Sequence, residues 1–426
     1  MKNFCLKNLC FLTICLAILY SCSGAGSSNV DNVIDVESVV GSGKIRNTSD
    51  FIKEIKYIPL ETTSNSMVGN ISKIVMDKGK MYIGDDKGVI SIFDSNGHFL
   101  NSLNRVGRGP EEYTRMNGFD IAPNGHIFIA SQGEGITEYD NNLKFVQKLT
   151  PQNQEDKGFN DISILKEGLF ASNKFYVNME AGDVKQVWDI YDSSLKTLFS
   201  YSAKAQSESS SNPTGERRMA IRIKPYRYYM YDNSLNIYRD GIDTIFNIDI
   251  ENNYHQSPRY IINCGKYQFS EEMEGSINLD NLTSAAEPEA ISLGTVIECD
   301  DYIFMGFNFR KLAPEPFTTE GTTITSANTV TRMGGGTNTT VNAVYDKKSG
   351  KLSLLNQPIP QKLGLKNNIN NGAPFWPRSI TKNQELVSWH NALDLVLLAE
   401  EGKIDQSIVA NLKEDDNPVV VIAIPK

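Results

Sequence analysis

The chain has 426 residues, with 42 Lys and Arg against 51 Asp and Glu, for a formal net charge of −9. An acidic field of that size opposes binding to nucleic acid and to anionic membrane surfaces. The length exceeds one small sandwich, and 40% hydrophobic residues can build a sizeable core.

The N-terminus reads as an address. Lys2 and Lys7 precede an apolar run from Leu9 to Tyr20, interrupted by Thr13. About twelve residues suit the apolar region of a signal peptide, whereas a bilayer span needs about 20. The run ends in Leu19-Tyr20-Ser21-Cys22, which resembles a bacterial lipobox, although Tyr20 is bulkier than usual there. Residues 1–21 are therefore expected to be a lipoprotein signal peptide, and Cys22 the lipidated first residue of the mature chain. An ordinary secretory signal with a chance cysteine is the alternative. Residues 22–50 are expected to form a flexible tether, which opens with Ser23-Gly24-Ala25-Gly26-Ser27-Ser28-Asn29. Loss of two signal lysines moves the formal charge to −11. Cys264 and Cys299 then stay in the folded part, as a disulfide or as two separate buried thiols.

Beyond residue 50, short strands end repeatedly in an aromatic–Asp pair and a tight turn: Phe93-Asp94, Tyr139-Asp140, Tyr191-Asp192 and Tyr345-Asp346. The first three aspartates lie roughly 45–55 residues apart, the period of a four-stranded propeller blade. Each small sheet of such a repeat buries its faces against its neighbours. The predicted fold is all-β, a six-bladed β-propeller over residues 51–426 with a small helical insertion near the C-terminus. Alternation and turn signals predict blade 1 at 71–76, 80–84, 89–93 and 99–103, and blade 2 at 118–121, 126–130, 136–139 and 145–149. Blade 3 is expected at 162–165, 168–172, 187–191 and 197–201, and blade 4 at 226–231, 235–239, 244–248 and 259–263. Blade 5 follows at 294–298, 302–308, 341–345 and 351–355. The last blade offers 378–381, 385–389 and 419–424, and residues 51–60 are expected to supply its fourth strand. Closing the ring this way removes the exposed edge. A separate N-terminal arm is the alternative.

Four long insertions, 202–224, 266–290, 310–340 and 390–417, fall between strands that share one face of the ring. Long loops on a rigid scaffold are where binding surfaces tend to be built. Residues 391–412 are predicted to be a helical cap with Leu393, Val396, Leu397, Ile404, Ile408 and Leu412 on its buried stripe. The Thr/Gly-rich stretch 319–340 is expected to be a flap with Gly334-Gly335-Gly336 at its tip.

The connection Asn104-Arg105-Val106-Gly107-Arg108-Gly109-Pro110-Glu111-Glu112-Tyr113 joins blades 1 and 2 on the long-loop face. Arg105, Arg108, Glu111, Glu112 and Tyr113 either offer charge and stacking to a ligand or pair among themselves to pin the crossing. With Ile58-Pro59-Leu60-Glu61-Thr62-Thr63 and Pro258-Arg259-Tyr260-Ile261-Ile262-Asn263-Cys264-Gly265, this stretch resembles the six-bladed β-propeller lipoproteins of Gram-negative anaerobes, related to NHL-repeat propellers. The resemblance implies fold and export over nearly the whole mature chain, and carries no catalytic residue with it.

Trp376 and Arg378, in Ala373-Pro374-Phe375-Trp376-Pro377-Arg378, and Trp389 and His390 flank the first two strands of the last blade on the same face. Aromatic platforms with polar fixers suit sugar rings or apolar peptide side chains; packing between blades is the structural alternative. The four histidines, His98, His126, His255 and His390, lack metal-site spacing, and no nucleophile elbow, phosphate loop or dinucleotide fingerprint is present. Asp85-Asp86 and Asp300-Asp301 read as solvated turn acids. The sequence therefore points to an outer-membrane lipoprotein, held by acylated Cys22 and facing the periplasm, whose propeller binds a glycan, a peptide or an envelope protein. A propeller enzyme, a lyase or a calcium-assisted lactonase or hydrolase with calcium in the channel, is the alternative by fold analogy.

Overall fold

Apolar–polar alternation between turn-formers produces six small antiparallel sheets, set as the blades of a propeller. The computed structural model describes residues 32–131, 133–151, 158–178, 183–211, 217–222, 226–239, 241–270, 273, 288–326 and 329–426, and Ile34–Lys426 form one unit. Blade 1 comprises Ile71–Asp77, Lys80–Asp85, Ile90–Asp94 and Phe99–Leu103, hydrogen-bonded in that order from the inside out. Blade 2 comprises Gly118–Ile121, Ile127–Ser131, Gly135–Tyr139 and Phe145–Leu149. Blade 3 runs through Ser163–Lys166, Leu169–Asn178, Asp183–Asp192 and Thr197–Ser211, and blade 4 through Arg227–Tyr231, Ser234–Tyr238, Thr244–Asp249 and His255–Asn263. Blade 5 contains Ser292–Glu298, Tyr302–Asn308, Thr340–Asp346 and Lys351–Leu354. Blade 6 contains Ser379–Ile380, Leu386–His390, Val419–Pro425 and, outermost, Ile52–Pro59. The predicted strands and the closing strand are thus borne out.

The closing strand is held from both sides. A register shift between Ile52 and Glu54 turns Ile52 and Ile55 towards the cluster shared with blade 5, while Ile58 and Leu60 enter the one shared with blade 1. Glu61 then fastens the seam: its backbone N–H donates to Gly97 O at 2.8 Å, and its Oε2 accepts from Phe99 N at 2.8 Å. Gly97 has φ +89°, and a Cβ there would meet the Pro59 carbonyl.

The aspartate repeat has a mechanical cause. Asp94 Oδ1 accepts from the N–H groups of Asn96 and His98 at 2.8 and 2.9 Å, and Asp140 does the same with Asn142 and Lys144 at 2.8 and 2.9 Å. Asp192 binds Ser194 N and Lys196 N at 2.9 and 3.0 Å; Asp346 binds Lys348 N and Ser349 N, both at 2.9 Å. Each carboxylate closes the outer hairpin of its blade as an Asx turn. Blade 4 carries a copy the sequence pattern hid, because Ile248 replaces the aromatic residue: Asp249 accepts from Glu251 N and Asn252 N at 3.0 and 3.1 Å.

Several expectations are corrected. The propeller begins near residue 33, not 51: Val33–Asp35 adds to the outer edge of blade 4 beside His255–Asn263. Ile34 and Val36 are fully buried there, so the stretch 33–50 is packed chain and not tether. The helical cap is helix α1, Ala392–Glu400, followed by a short 3-10 turn at Gln406–Val409. It buries Ala392, Leu395, Leu398 and Ala399 and turns Leu393 and Leu397 to solvent, while Ile404 beyond the helix end joins the same core cluster, so of the predicted stripe Ile404 is buried and Leu393 and Leu397 are not. The flap is a hairpin, Phe317–Ser326 with Thr329–Asn338, whose tip lies between Ser326 and Thr329; Gly334 pairs with Gly321 inside it. Asp85 is a buried turn-holder: it accepts from Gly69, Lys87 and Val89 N–H groups at 2.9–3.1 Å. Of the insertion 202–224, a large part extends blade 3 as Thr197–Ser211 and Arg217–Arg222. Most of 266–290, and Cys22 with the signal, lie outside the described residues. Cys264 and Cys299 are free thiols in different core clusters, pushed by burial up to about 12 and about 11.

Candidate functional site

Two segments of blade 6 meet over a recess on the long-loop face. The first leads into the innermost strand, where the paired backbones of Leu365 and Phe375 (2.9 and 3.0 Å) pin the chain before Trp376. Pro377 disfavours helical backbone at Trp376, and Arg378 N then joins Val387 O at 2.8 Å. The second segment is the end of Leu386–His390, whose next residues start helix α1. Together with Thr295, Thr340 and Asn342 of blade 5, Asn70 of blade 1 and Lys362, they enclose about 590 Å³. Small-molecule sites commonly fall between ~300 and 1,000 Å³.

Trp376, Arg378, Trp389 and His390 all line this recess, as their shared face implied. The tryptophans also pack inward: Trp376 meets Phe304 edge-on with ring centroids 5.6 Å apart, and Trp389 borders the core between blades 6 and 1. Both readings of these residues therefore hold at once. The Arg378 guanidinium lies 4.3 Å from the Trp389 ring, a cation–π contact that holds it at the solvent-open mouth. Burial and the neighbouring Arg378 push His390 down to about 4, so its imidazole is neutral near pH 7. Lys362 and Asp394 face each other at 3.6 Å across the rim.

Two polar atoms in the recess are shut off from solvent without a hydrogen-bond partner among the described residues: His390 Nε2 and Asn342 Nδ2. Each such unpaired buried group costs about 1–3 kcal/mol, and both side chains belong to the lining of the recess. Asn342, Lys362, Asp394 and Ser388 were not among the sequence candidates. The signal for Asn342 was legible, as one polar residue inside the apolar run Val341-Asn342-Ala343-Val344-Tyr345.

The blade 1–2 connection is elsewhere and does other work. Tyr113 is fully buried and donates its hydroxyl to Gly88 O at 2.7 Å, so it cannot stack on a ligand. Glu112 Oε2 accepts from Gly109 N at 2.7 Å, and a Cβ on Gly107 would run into that carboxylate. Tyr139 Oη donates to Glu111 O at 2.7 Å, and Lys148 Nζ to Glu112 O at 2.9 Å. Backbone bonds and tyrosines pin the crossing, in place of the expected Arg–Glu pairs. Arg105 and Arg108 are exposed, and none of the five residues lines the recess. Between blades 2 and 3, Asp120 Oδ2 accepts from Ile164 N at 2.8 Å, and Asp161 accepts from Asn173 N and Nδ2 at 2.7 and 3.0 Å. Among the described residues, no group of three His, Cys, Asp or Glu side chains is placed to hold a metal ion.

The strand added by Val33–Asp35 sets a start near residue 33, and a family model agrees, matching residues 31–423. This chain belongs to the DUF4934 family. That family is described as a domain of unknown function. Among solved structures, an exported protein of Bacteroides fragilis is similar at 15% identity, with a TM-score of 0.60 over 92% of this chain and 99% of that one. A DUF4221-family protein of Bacteroides vulgatus is 11% identical, with a TM-score of 0.45 over 88% of this chain and 97% of that one. The first likeness is one of fold, and it bears out the propeller resemblance read from the sequence. No curated protein matches the chain.

Proposed function

We propose that this DUF4934 protein is a non-enzymatic binding module of the cell envelope, which displays the blade 5–6 recess from a membrane through lipid on Cys22. The observation that carries the binding role is the pair of orphaned atoms, His390 Nε2 and Asn342 Nδ2, inside an aromatic-lined recess of about 590 Å³. A ligand that hydrogen-bonds to them recovers the cost of leaving them buried and unpaired.

The Trp376 indole, beside a guanidinium backed by the Trp389 ring, a neutral imidazole and an amide, favours a glycan over an apolar peptide. A sugar ring offers a C–H face for Trp376 and hydroxyls that both donate and accept. The anchor rests on the signal and the Leu19-Tyr20-Ser21-Cys22 junction, and the lack of acidic residues in Ser23-Gly24-Ala25-Gly26-Ser27-Ser28-Asn29 favours the periplasmic side of the outer membrane. No helix among the described residues is long and apolar enough to cross a membrane.

A glycan and peptide array probed with the mature chain tests the binding role. Trp376→Ala and Trp389→Ala are expected to weaken any hit at least tenfold, the scale of an interface anchor. Hits that ignore both changes but vanish on substitutions at the Asp-turn face would place the binding surface on the wrong side. Mass spectrometry of membrane-extracted protein tests the anchor, since an unmodified Cys22 would remove it.

A further inference from the structure

We infer that the recess selects a glycan bearing a carboxylate, a uronic-acid-type sugar, and that Arg378 receives that carboxylate. This rests on the reading of the recess as a glycan site and adds the chemical class.

Charge supplies the first argument. Among the described residues the Arg378 guanidinium makes no hydrogen bond or ion pair; its neighbour is the face of Trp389. Asp394, the acid that lines the recess, is taken by Lys362 at 3.6 Å. His390 is neutral near pH 7 and adds no charge of its own. Arg378 and Lys362 against Asp394 leave the lining of the recess with one net positive charge, which suits a monoanion.

Geometry supplies the second. Asn342 is 3% exposed and lines the recess with an unpartnered Nδ2 donor. Helix α1 starts at the same rim: Asn391, its N-cap residue, makes no side-chain cap bond, which leaves the positive end of the helix dipole beside the recess. The strand, the helix end and the arginine thus each contribute a residue to the lining of the same recess. A planar guanidinium matches a planar carboxylate with two parallel bonds, and the Trp389 ring already holds that plane in place, so little freedom is lost on binding.

The test is an array of uronate-containing oligosaccharides, their carboxyl-reduced counterparts and sulfated neutral glycans, followed by calorimetry on the strongest hit. Uronates are expected to bind at least about tenfold more tightly than the reduced forms. Arg378→Gln should cut uronate affinity about 10- to 100-fold, the range of charge-assisted hydrogen bonds, and that of the reduced glycan less than about threefold. Arg378→Lys should fall between, since it keeps the charge and loses the fork. Equal binding of reduced forms, a preference for sulfate, or equal losses on both ligands overturns the carboxylate assignment; the glycan site itself still stands where Trp389→Ala abolishes those hits. An array without any glycan hit overturns both.

Discussion

Arg259 grips Glu298 across the boundary between blades 4 and 5, with Nη2 2.7 Å from Oε1 and Nε 3.2 Å from Oε2. Lys347 Nζ lies 2.6 Å from the same Oε1, and the Tyr229 and Tyr260 hydroxyls donate to the carboxylate at 2.8 and 3.2 Å. The Glu298 side chain is fully buried, and Arg259 is flanked by the rings of Tyr231 and Tyr260. One carboxylate thus satisfies two cations and two phenols, which accounts for the Pro258-Arg259-Tyr260 stretch picked out in the sequence.

Removing the shared acceptor leaves two partly buried cations facing each other. Glu298→Ala is expected to destabilise the fold by about 3–5 kcal/mol, the cost of breaking a buried ion pair from one side. Glu298→Gln should cost less, because it keeps an acceptor for the tyrosines. Urea unfolding midpoints measure both, and a Glu298→Ala variant within 1 kcal/mol of the parent would contradict the role.

Residues 51–60 carry a separate expectation. Their deletion removes Ile52, Ile55, Ile58 and Leu60 from two core clusters and bares the edge of Val419–Pro425. An open, apolar sheet edge invites aggregation. The truncated protein should unfold without cooperativity or precipitate. The closing role is lost if it remains as soluble and as heat-stable as the parent.

The Asp turns make outer-hairpin stability sensitive to acid. N–H groups of Lys144 and Asn142 hold the Asp140 carboxyl below the ordinary aspartate range, backbone N–H groups of His98 and Asn96 do so for Asp94, and the Ser194 hydroxyl leads the same effect on Asp192. Because the folded state favours the charged form, this stability is present above the unfolded pKa and disappears as pH falls through the folded one. Asp140→Ala should therefore lower the melting temperature at pH 7, and its gap from the parent should close in strong acid. A gap constant down to pH 2 would mean that the carboxylate is not what holds the turn.

His390 acts over a higher window. Burial and Arg378 depress it to about 4 from 6.5, so the unfolded chain takes up a proton below pH 6.5 that the folded one refuses until about pH 4. Parent stability is expected to decline as pH falls across that window, and His390→Gln to flatten the decline. Arg378→Gln should raise the His390 pKa by relieving repulsion, which imidazole NMR titration reads directly. A His390 that titrates near 6.5 in the parent would show the recess to be wetter than its geometry implies.

Local sequence was sufficient for the blades because their signals are local. Alternation at 71–103 and 118–149, glycine and asparagine turns, and the repeated aromatic–Asp pair each act within a few residues. The closing strand was legible as well, because blade 6 lacked a fourth strand and 51–60 alternates. Face assignment followed from strand direction alone, and so Trp376, Arg378, Trp389 and His390 could be grouped before any contact was known. The limits were of two kinds. Val33–Asp35 is too short to announce itself, and only its place beside His255–Asn263 makes it a strand. The Gly107–Tyr113 motif offered either a ligand contact or a pinned crossing, and the second holds only because Tyr113 turns inward to Gly88 and Glu112 folds back on Gly109. Periodicity and turn chemistry thus settled the architecture from the sequence by itself. Tertiary structure alone decided which polar groups are left unpaired, because Asn342 and His390 lie about fifty residues apart and line one recess only when two blades pack side by side.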